Sequence, residues 1–254
     1  MTSGKESGEL TATFWDHLEE LRWCILRCLA SAAALGAVAF CLKDWLFAVV
    51  LAPRSGDFIT YRLMGADAFS LRLVNTGLTE QFMAHMRVAA SAGLLLASPY
   101  VVYELFRFVA PGLYDGERHA ARRVVGAAYA MFLVGAVVCY FLIFPLTVRF
   151  LGTYQVSADV ENMLTLQSYV DTLLTMTLVF GLVFELPVVS ALLAHMGIID
   201  ATLMRRYRRH AVVAILVVAA IITPTTDMFT LTVVALPIWL LYETSIWIVR
   251  KVED

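Results

Sequence analysis

The sequence predicts an all-α integral membrane protein with six transmembrane helices and both termini on the cytoplasmic side. Composition is the first ground: 60% of the 254 residues are hydrophobic, 16% are charged and the mean hydropathy is +0.76, which excludes an ordinary soluble domain. The second is the form of the apolar stretches. They are long and unbroken, not alternating, so the chain satisfies its backbone in lipid as helices rather than as a barrel. The third is the placement of Lys and Arg, taken up below. A net charge of -2 gives no support to a nucleic-acid partner.

The segment up to Thr13 is polar and expected to be flexible. Thr13 with Asp16 resembles a capping box. Phe14, Leu18, Leu21, Ile25 and Cys28 then form one apolar stripe, while Asp16, Glu20 and Arg27 share another face. The spacing predicts a cytoplasmic amphipathic helix over 14–22 leading into a first span at 23–42. Glu19 and Glu20 on their own read as a solvated face beside Arg22 and Arg27. Lys43 to Gln81 is a long connection. Within it Trp45 to Ala52 is too short to span and reads as an interfacial cap, and 57–78 has no clear periodicity. The second span is placed at 84–106, kinked at Pro99, and the third at 122–144, stopped by Pro145. Leu146 to Leu166 reads as a loop with an amphipathic turn near Val148. The fourth span, 168–193, contains Glu185 and Pro187; the fifth, 210–223, is short; the sixth, 228–249, is interrupted by Pro237. All six belong to one transmembrane domain.

Six of the 19 Lys and Arg fall on one face of this arrangement: Lys43, Arg54, Arg62, Arg72, Arg87 and Arg149. The other thirteen share the face of the N-terminus, the loop after the second span, the RRYRR cluster and the C-terminus. Basic residues mark the cytoplasm, so Glu20 and Glu117 are expected to share the cytoplasmic face. Cys24, Cys28, Cys41 and Cys139 lie in or beside apolar runs without a CxxC pair and read as small buried residues, not ligands or disulfides.

Two places carry chemistry. The stretch from Ser98 to Arg123 joins Tyr100, Tyr103, Phe106, Phe108 and Tyr114 to Pro111-Gly112, Asp115, Glu117 and several basic groups. It reads either as a well-anchored interfacial loop or as a docking surface carrying Glu117. Glu185 sits inside an apolar helix, where an acidic group costs ~2.5–3.5 kcal/mol on insertion scales. It is a buried strut beside the proline kink, a proton site, or a polar contact for an incoming helix.

These residues, in order, resemble the TatC family, the multi-spanning subunit of the twin-arginine (Sec-independent) protein translocase. The likeness rests on HLEELR at His17 to Arg22, SPY at Ser98 to Tyr100, FVAPGLYDGER at Phe108 to Arg118 and FP at Phe144-Pro145. It continues through FELPV at Phe184 to Val188, RRYRR at Arg205 to Arg209, ITP at Ile222 to Pro224, and ALP followed by Tyr242-Glu243. The resemblance implies a cup-like bundle that receives twin-arginine signal peptides of folded cargo and supports transport on the proton-motive force without nucleotide or other cofactor. It implies that Glu20 and Glu117 meet the paired arginines, that Phe108 belongs to the same site, and that Glu185 lies in the concave membrane face. It further implies single-span TatA or TatB partners contacting the region of Thr223, Pro224, Thr230 and Leu231, and self-association in a receptor complex within the lipid membrane. The sequence departs from the family where Thr230 and Leu231 replace a Ser-Gln pair and a second proline after Pro224 is missing, which bears on that partner contact. With no transit peptide before Phe14, a bacterial cytoplasmic membrane is expected.

Three rival readings are weaker, the first being a purely structural scaffold, which would need neither Glu185 nor paired cytoplasmic acids. A proton-coupled small-molecule transporter would also hold Glu185, but FELPV has no counterpart in the first half of the chain, as a repeat would require. An enzyme is not expected: there is no HExxH, no GxSxG and no cluster of metal ligands.

Overall fold

The computed structural model describes residues 3–65, 71–109, 118–154, 163–223 and 227–253. In chain order the elements are α1 (Ser3–Cys41), α2 (Lys43–Leu51), α3 (Ile59–Leu63), β1 (Leu73–Val74), α4 (Glu80–Val109), α5 (Arg118–Val138) and α6 (Phe144–Thr153). They are followed by β2 (Leu164–Thr165), α7 (Leu166–Val183), α8 (Leu186–His195), α9 (Ala201–Arg206), α10 (Arg208–Ile222) and α11 (Met228–Glu253). Among the described residues, five stretches are long and apolar enough to cross a membrane: Leu18–Cys41, Glu80–Leu105, Val124–Thr153, Leu166–His195 and Met228–Glu253. The sixth helix of the bundle, α10, has 15 residues and is roughly 22 Å long, short of a ~30 Å hydrocarbon core.

The first helix is longer than its apolar run. α1 is continuous from Ser3 to Cys41, so the capping box at Thr13 opens nothing and the amphipathic segment 14–22 is part of α1, not a separate element. It is peripheral, with outward apolar residues such as Leu29 and Val38 and a thin inner stripe of Cys24, Gly36 and Ala39. That stripe lies against α4. Close approach is allowed because Gly93 faces Gly36: a Cβ on Gly93 would lie 2.5 Å from the Gly36 Cα.

Prolines shape the middle of the bundle, and at Pro99 and Pro145 the missing N–H is answered by a side chain. Pro99 deprives the Leu95 carbonyl of its donor four residues on, and Ser98 Oγ donates to it at 2.6 Å. Pro145 does the same to Phe141, whose carbonyl accepts instead from Thr60 Oγ1 of α3. Between α5 and α6 the chain therefore passes through a π turn at Cys139–Ile143 and stays helical. This corrects the expectation that Pro145 ends the third span: the apolar helix continues to Thr153. At the next proline the helix does break. α7 stops at Val183, and Glu185 is the residue preceding α8 with Pro187 in its first turn.

The core is filled by Ile143, Phe144, Val170, Met176 and Phe180, all without solvent contact, with Tyr169 packed edge-on against Phe144. At the end of the bundle away from the N-terminus, β1 and β2 pair in parallel, Leu73 opposite Leu164. The unassigned stretch 57–78 thus supplies α3 and β1. Glu80 ties this end together: one oxygen accepts from the N–H groups of Thr76 (2.8 Å) and Gly77 (3.0 Å), the other from Gln167 (2.8 Å). Nearby, Arg87 on α4 pairs with Asp171 on α7. At the opposite end α8 closes on Gly197 at φ +69, a left-handed position suited to glycine, with Ile198 N–H bonded back to the Leu193 carbonyl.

Candidate functional site

Glu20 stands on α1 with its side chain exposed, as does its neighbour Glu19. Phe108 is in the last turn of α4, half-buried. Glu117 lies outside the described residues, in the connection between Val109 and Arg118. Two of the three residues expected to form the peptide site therefore have a described position. Phe108 is at the end of α4, and Glu20 is near the middle of α1, where the apolar stretch Leu18–Cys41 begins.

Deeper along the same two helices is a charged cluster that sequence reasoning did not single out. Arg27 of α1 donates through Nε (3.1 Å) and Nη2 (2.8 Å) to one oxygen of Glu104 on α4. The Glu104 side chain is 4% exposed against 41% for Arg27. Tyr100 hydrogen-bonds the same carboxylate, and Arg107 approaches it at 3.9 Å. The available signal was that two opposite charges stand inside apolar runs at equivalent distances from the same face, and intramembrane charges are costly unless paired.

Glu185 is the second candidate. It occupies the break between α7 and α8, and both of its carboxylate oxygens are buried without a hydrogen-bond partner. A few residues on, Pro187, Leu192 and His195 line a cavity of about 680 Å³ with Val124, Met131 and Thr244. Its walls are almost wholly apolar. The lining does not include Glu185, so the carboxylate and the cavity are distinct features of the α8 region.

The RRYRR stretch covers the end of α9 and the start of α10. Arg208 pairs with Glu243 of α11 at 2.6 Å, while Arg205, Arg206 and Arg209 are exposed. Asp200 caps α9, and the Leu203 N–H it accepts holds its carboxyl below the usual range. At the far end of α10, Thr223 is buried and its hydroxyl is spent on the Ala219 carbonyl. Thr230 has no exposure at all, Leu231 packs against the core, and Pro224 is outside the described residues. The exposed apolar groups around them include Ile221, Met228 and Phe229. Among the described residues no group of three His, Cys, Asp or Glu is placed to hold a metal ion.

A bundle of six membrane helices with a buried, unpaired carboxylate at a helix break defines a multi-pass membrane protein. Residues 16–237 match the family described as Sec-independent protein translocase protein (TatC). A Sec-independent protein translocase protein TatC from Deinococcus radiodurans is 35% identical over 241 residues, covering 94% of this chain and 86% of that protein. One from Koribacter versatilis is 36% identical over 234 residues, covering 92% and 83%. The fold agrees with a crystal structure of the twin-arginine translocase receptor TatC at a TM-score of 0.80 and 27% identity, covering 94% of this chain and 100% of the other. The chain belongs to the TatC family.

Proposed function

We propose that this chain is the receptor subunit of a twin-arginine translocation system in a bacterial cytoplasmic membrane, and not an enzyme. Its termini, the Glu117 loop and the RRYRR segment face the cytoplasm. There Glu20 and Glu117, flanked by Phe108, bind the paired arginines of signal peptides on folded cargo. Transport follows on the proton-motive force, with single-span TatA or TatB subunits and further copies of the chain. The observation that carries the reading is family membership across residues 16–237, a range that holds both receptor acids, Phe108 and Glu185.

The chemistry suits that role. A guanidinium is a planar fork that meets a carboxylate through two hydrogen bonds, and two arginines call for two acids on one face. Exposed ion pairs contribute only ~0–1 kcal/mol, too little for a selective receptor. In partly dehydrated surroundings each charge-assisted bond reaches ~1.5–3 kcal/mol, together enough for selection over about a hundredfold. Phe108, half-buried at the end of α4, supplies such surroundings.

A twin-arginine peptide with a photo-reactive residue beside the arginines tests this. It is expected to crosslink within residues 108–117 and on α1 near Glu20. Crosslinks confined to α2 and α3, at the other end of the bundle, would overturn it.

A further inference from the structure

The Arg27–Glu104 pair lies one level deeper than the proposed peptide site, on the two helices that carry it. Arg27 is seven residues beyond Glu20 on α1, and Glu104 is four residues before Phe108 on α4. The helices are antiparallel, so moving outward from the pair leads to Glu20 on one and Phe108 on the other. At 1.5 Å per residue those steps are roughly 10.5 Å and 6 Å, a difference of under one turn. At about 100° per residue, Glu20 falls within roughly 20° of the Arg27 direction and Phe108 within roughly 40° of the Glu104 direction. Arg27 and Glu104 point at each other, since they are bonded at 2.8 Å. The two outer residues therefore project toward the same seam.

The seam is pinned at a second point further along. Gly36 and Gly93 bring the backbones of α1 and α4 together, with no room for a Cβ on Gly93. An apolar glycine contact fixes how close the helices come but is tolerant of sliding and rotation. A guanidinium sharing two N–H groups with one carboxylate oxygen, on a carboxylate also held by Tyr100, is not. Nothing in the bare folding of two apolar helices requires a buried acid here, and an apolar pair would serve packing at least as well. Setting register is the best-attested use of such a pair.

We propose that Arg27 and Glu104 are positioning residues: their ion pair sets the register and rotation of α1 on α4 that hold Glu20 beside Phe108 for the twin-arginine peptide. Neither touches the peptide. This rests on the reading of Glu20 and Phe108 as peptide-binding residues, so the test has one arm that uses peptide and one that does not.

In the peptide arm, affinity for a twin-arginine signal peptide is measured on purified protein for wild type, Glu104→Gln, Arg27→Gln and the exchange Arg27→Glu with Glu104→Arg, alongside thermal melting. Each single variant is expected to weaken binding about tenfold while remaining folded, and the exchange to recover most of it. In the other arm, the same changes are placed in protein whose native cysteines are replaced and which carries Glu20→Cys and Phe108→Cys. Oxidative crosslinking between positions 20 and 108 is expected to slow in the single variants and return in the exchange. Glu104→Gln, which keeps a hydrogen-bonding group of the same shape, serves if the charge exchange does not fold. Unchanged peptide affinity and crosslinking in folded Glu104→Gln and Arg27→Gln, with only the melting temperature lowered, would overturn the proposal. Absence of peptide binding by wild type would instead defeat the receptor reading, and the crosslinking arm would still decide whether the pair sets the register.

Discussion

Gly93 of α4 and Gly36 of α1 meet so closely that a Cβ on Gly93 would lie 2.5 Å from the backbone N and Cα of Gly36. Ala32 contributes its carbonyl oxygen at the same distance, so the obstruction is backbone on every side and cannot move aside as a side chain would. Gly93→Ala is expected to destabilise by at least the ~1–3 kcal/mol typical of overpacking. Gly126→Ala, where an added Cβ meets nothing within 4 Å, is the control. Thermal melting of both in detergent checks the contrast, and equal melting temperatures would show that α1 and α4 separate at no cost.

The short α10 gives a second prediction. Its 15 residues fall roughly 8 Å short of a ~30 Å core, so lipid beside it thins or neighbouring helices shield it. Inserting one turn of leucine between Ala211 and Ile222 is expected to leave the protein folded and to lower transport. Full transport by the lengthened form would mean that its length is incidental.

Glu185 is predicted to act as a polar contact inside the membrane, because both of its oxygens are buried and unpaired and an entering polar group would satisfy them. Glu185→Gln, which still hydrogen-bonds, is expected to keep substantial transport, and Glu185→Leu to lose more. Complete loss in the Gln variant with normal peptide binding would favour an obligatory proton carrier.

Orientation can be read by cysteine labelling of intact cells. Exposed Cys41 and the three other cysteines are replaced first. A membrane-impermeant reagent is then expected to label Ser55→Cys and Ser157→Cys but not Gly116→Cys, given the basic-residue bias of the N-terminal face. Labelling at position 116 would invert the topology.

Much of this fold is legible in the sequence because the bilayer leaves few choices. A run of some twenty apolar residues has to be a helix, and the order of such runs gives the bundle. What the sequence hid are contacts between distant residues. Pro145 looks like a helix stop until Thr60, 81 positions away, is seen donating to the Phe141 carbonyl that the proline leaves bare. Glu80 looks like an ordinary first-turn acid until its second oxygen is found on Gln167, 87 positions on. The site divides in the same way. Glu185 stands out locally as an acid inside an apolar helix, whereas Glu20, which alone reads as a solvated face, and Phe108 are singled out only through the resemblance to the TatC family. The Arg27–Glu104 pair spans 77 residues and has no local signature beyond two charges in apolar surroundings. Thr223 and Thr230 show the converse: polar in sequence, they turn inward and are buried, while the apolar Ile221, Met228 and Phe229 beside them are exposed.

The central claim is that Glu20 and Glu117 form one acidic site for paired arginines, and peptide affinity measured in one membrane preparation tests it most directly. Wild type, Glu19→Ala, Glu20→Ala and Glu117→Ala are compared against a twin-arginine signal peptide and a twin-lysine version. Glu19 is exposed too, but it lies about 100° round α1 from Glu20. Glu20→Ala and Glu117→Ala are predicted each to weaken binding by about tenfold or more, corresponding to one charge-assisted bond of ~1.5–3 kcal/mol. Glu19→Ala is predicted to bind like wild type, and the lysine peptide to bind less well because it keeps the charge but loses the fork. Equal affinity of the arginine peptide for all four proteins would contradict the two-acid receptor.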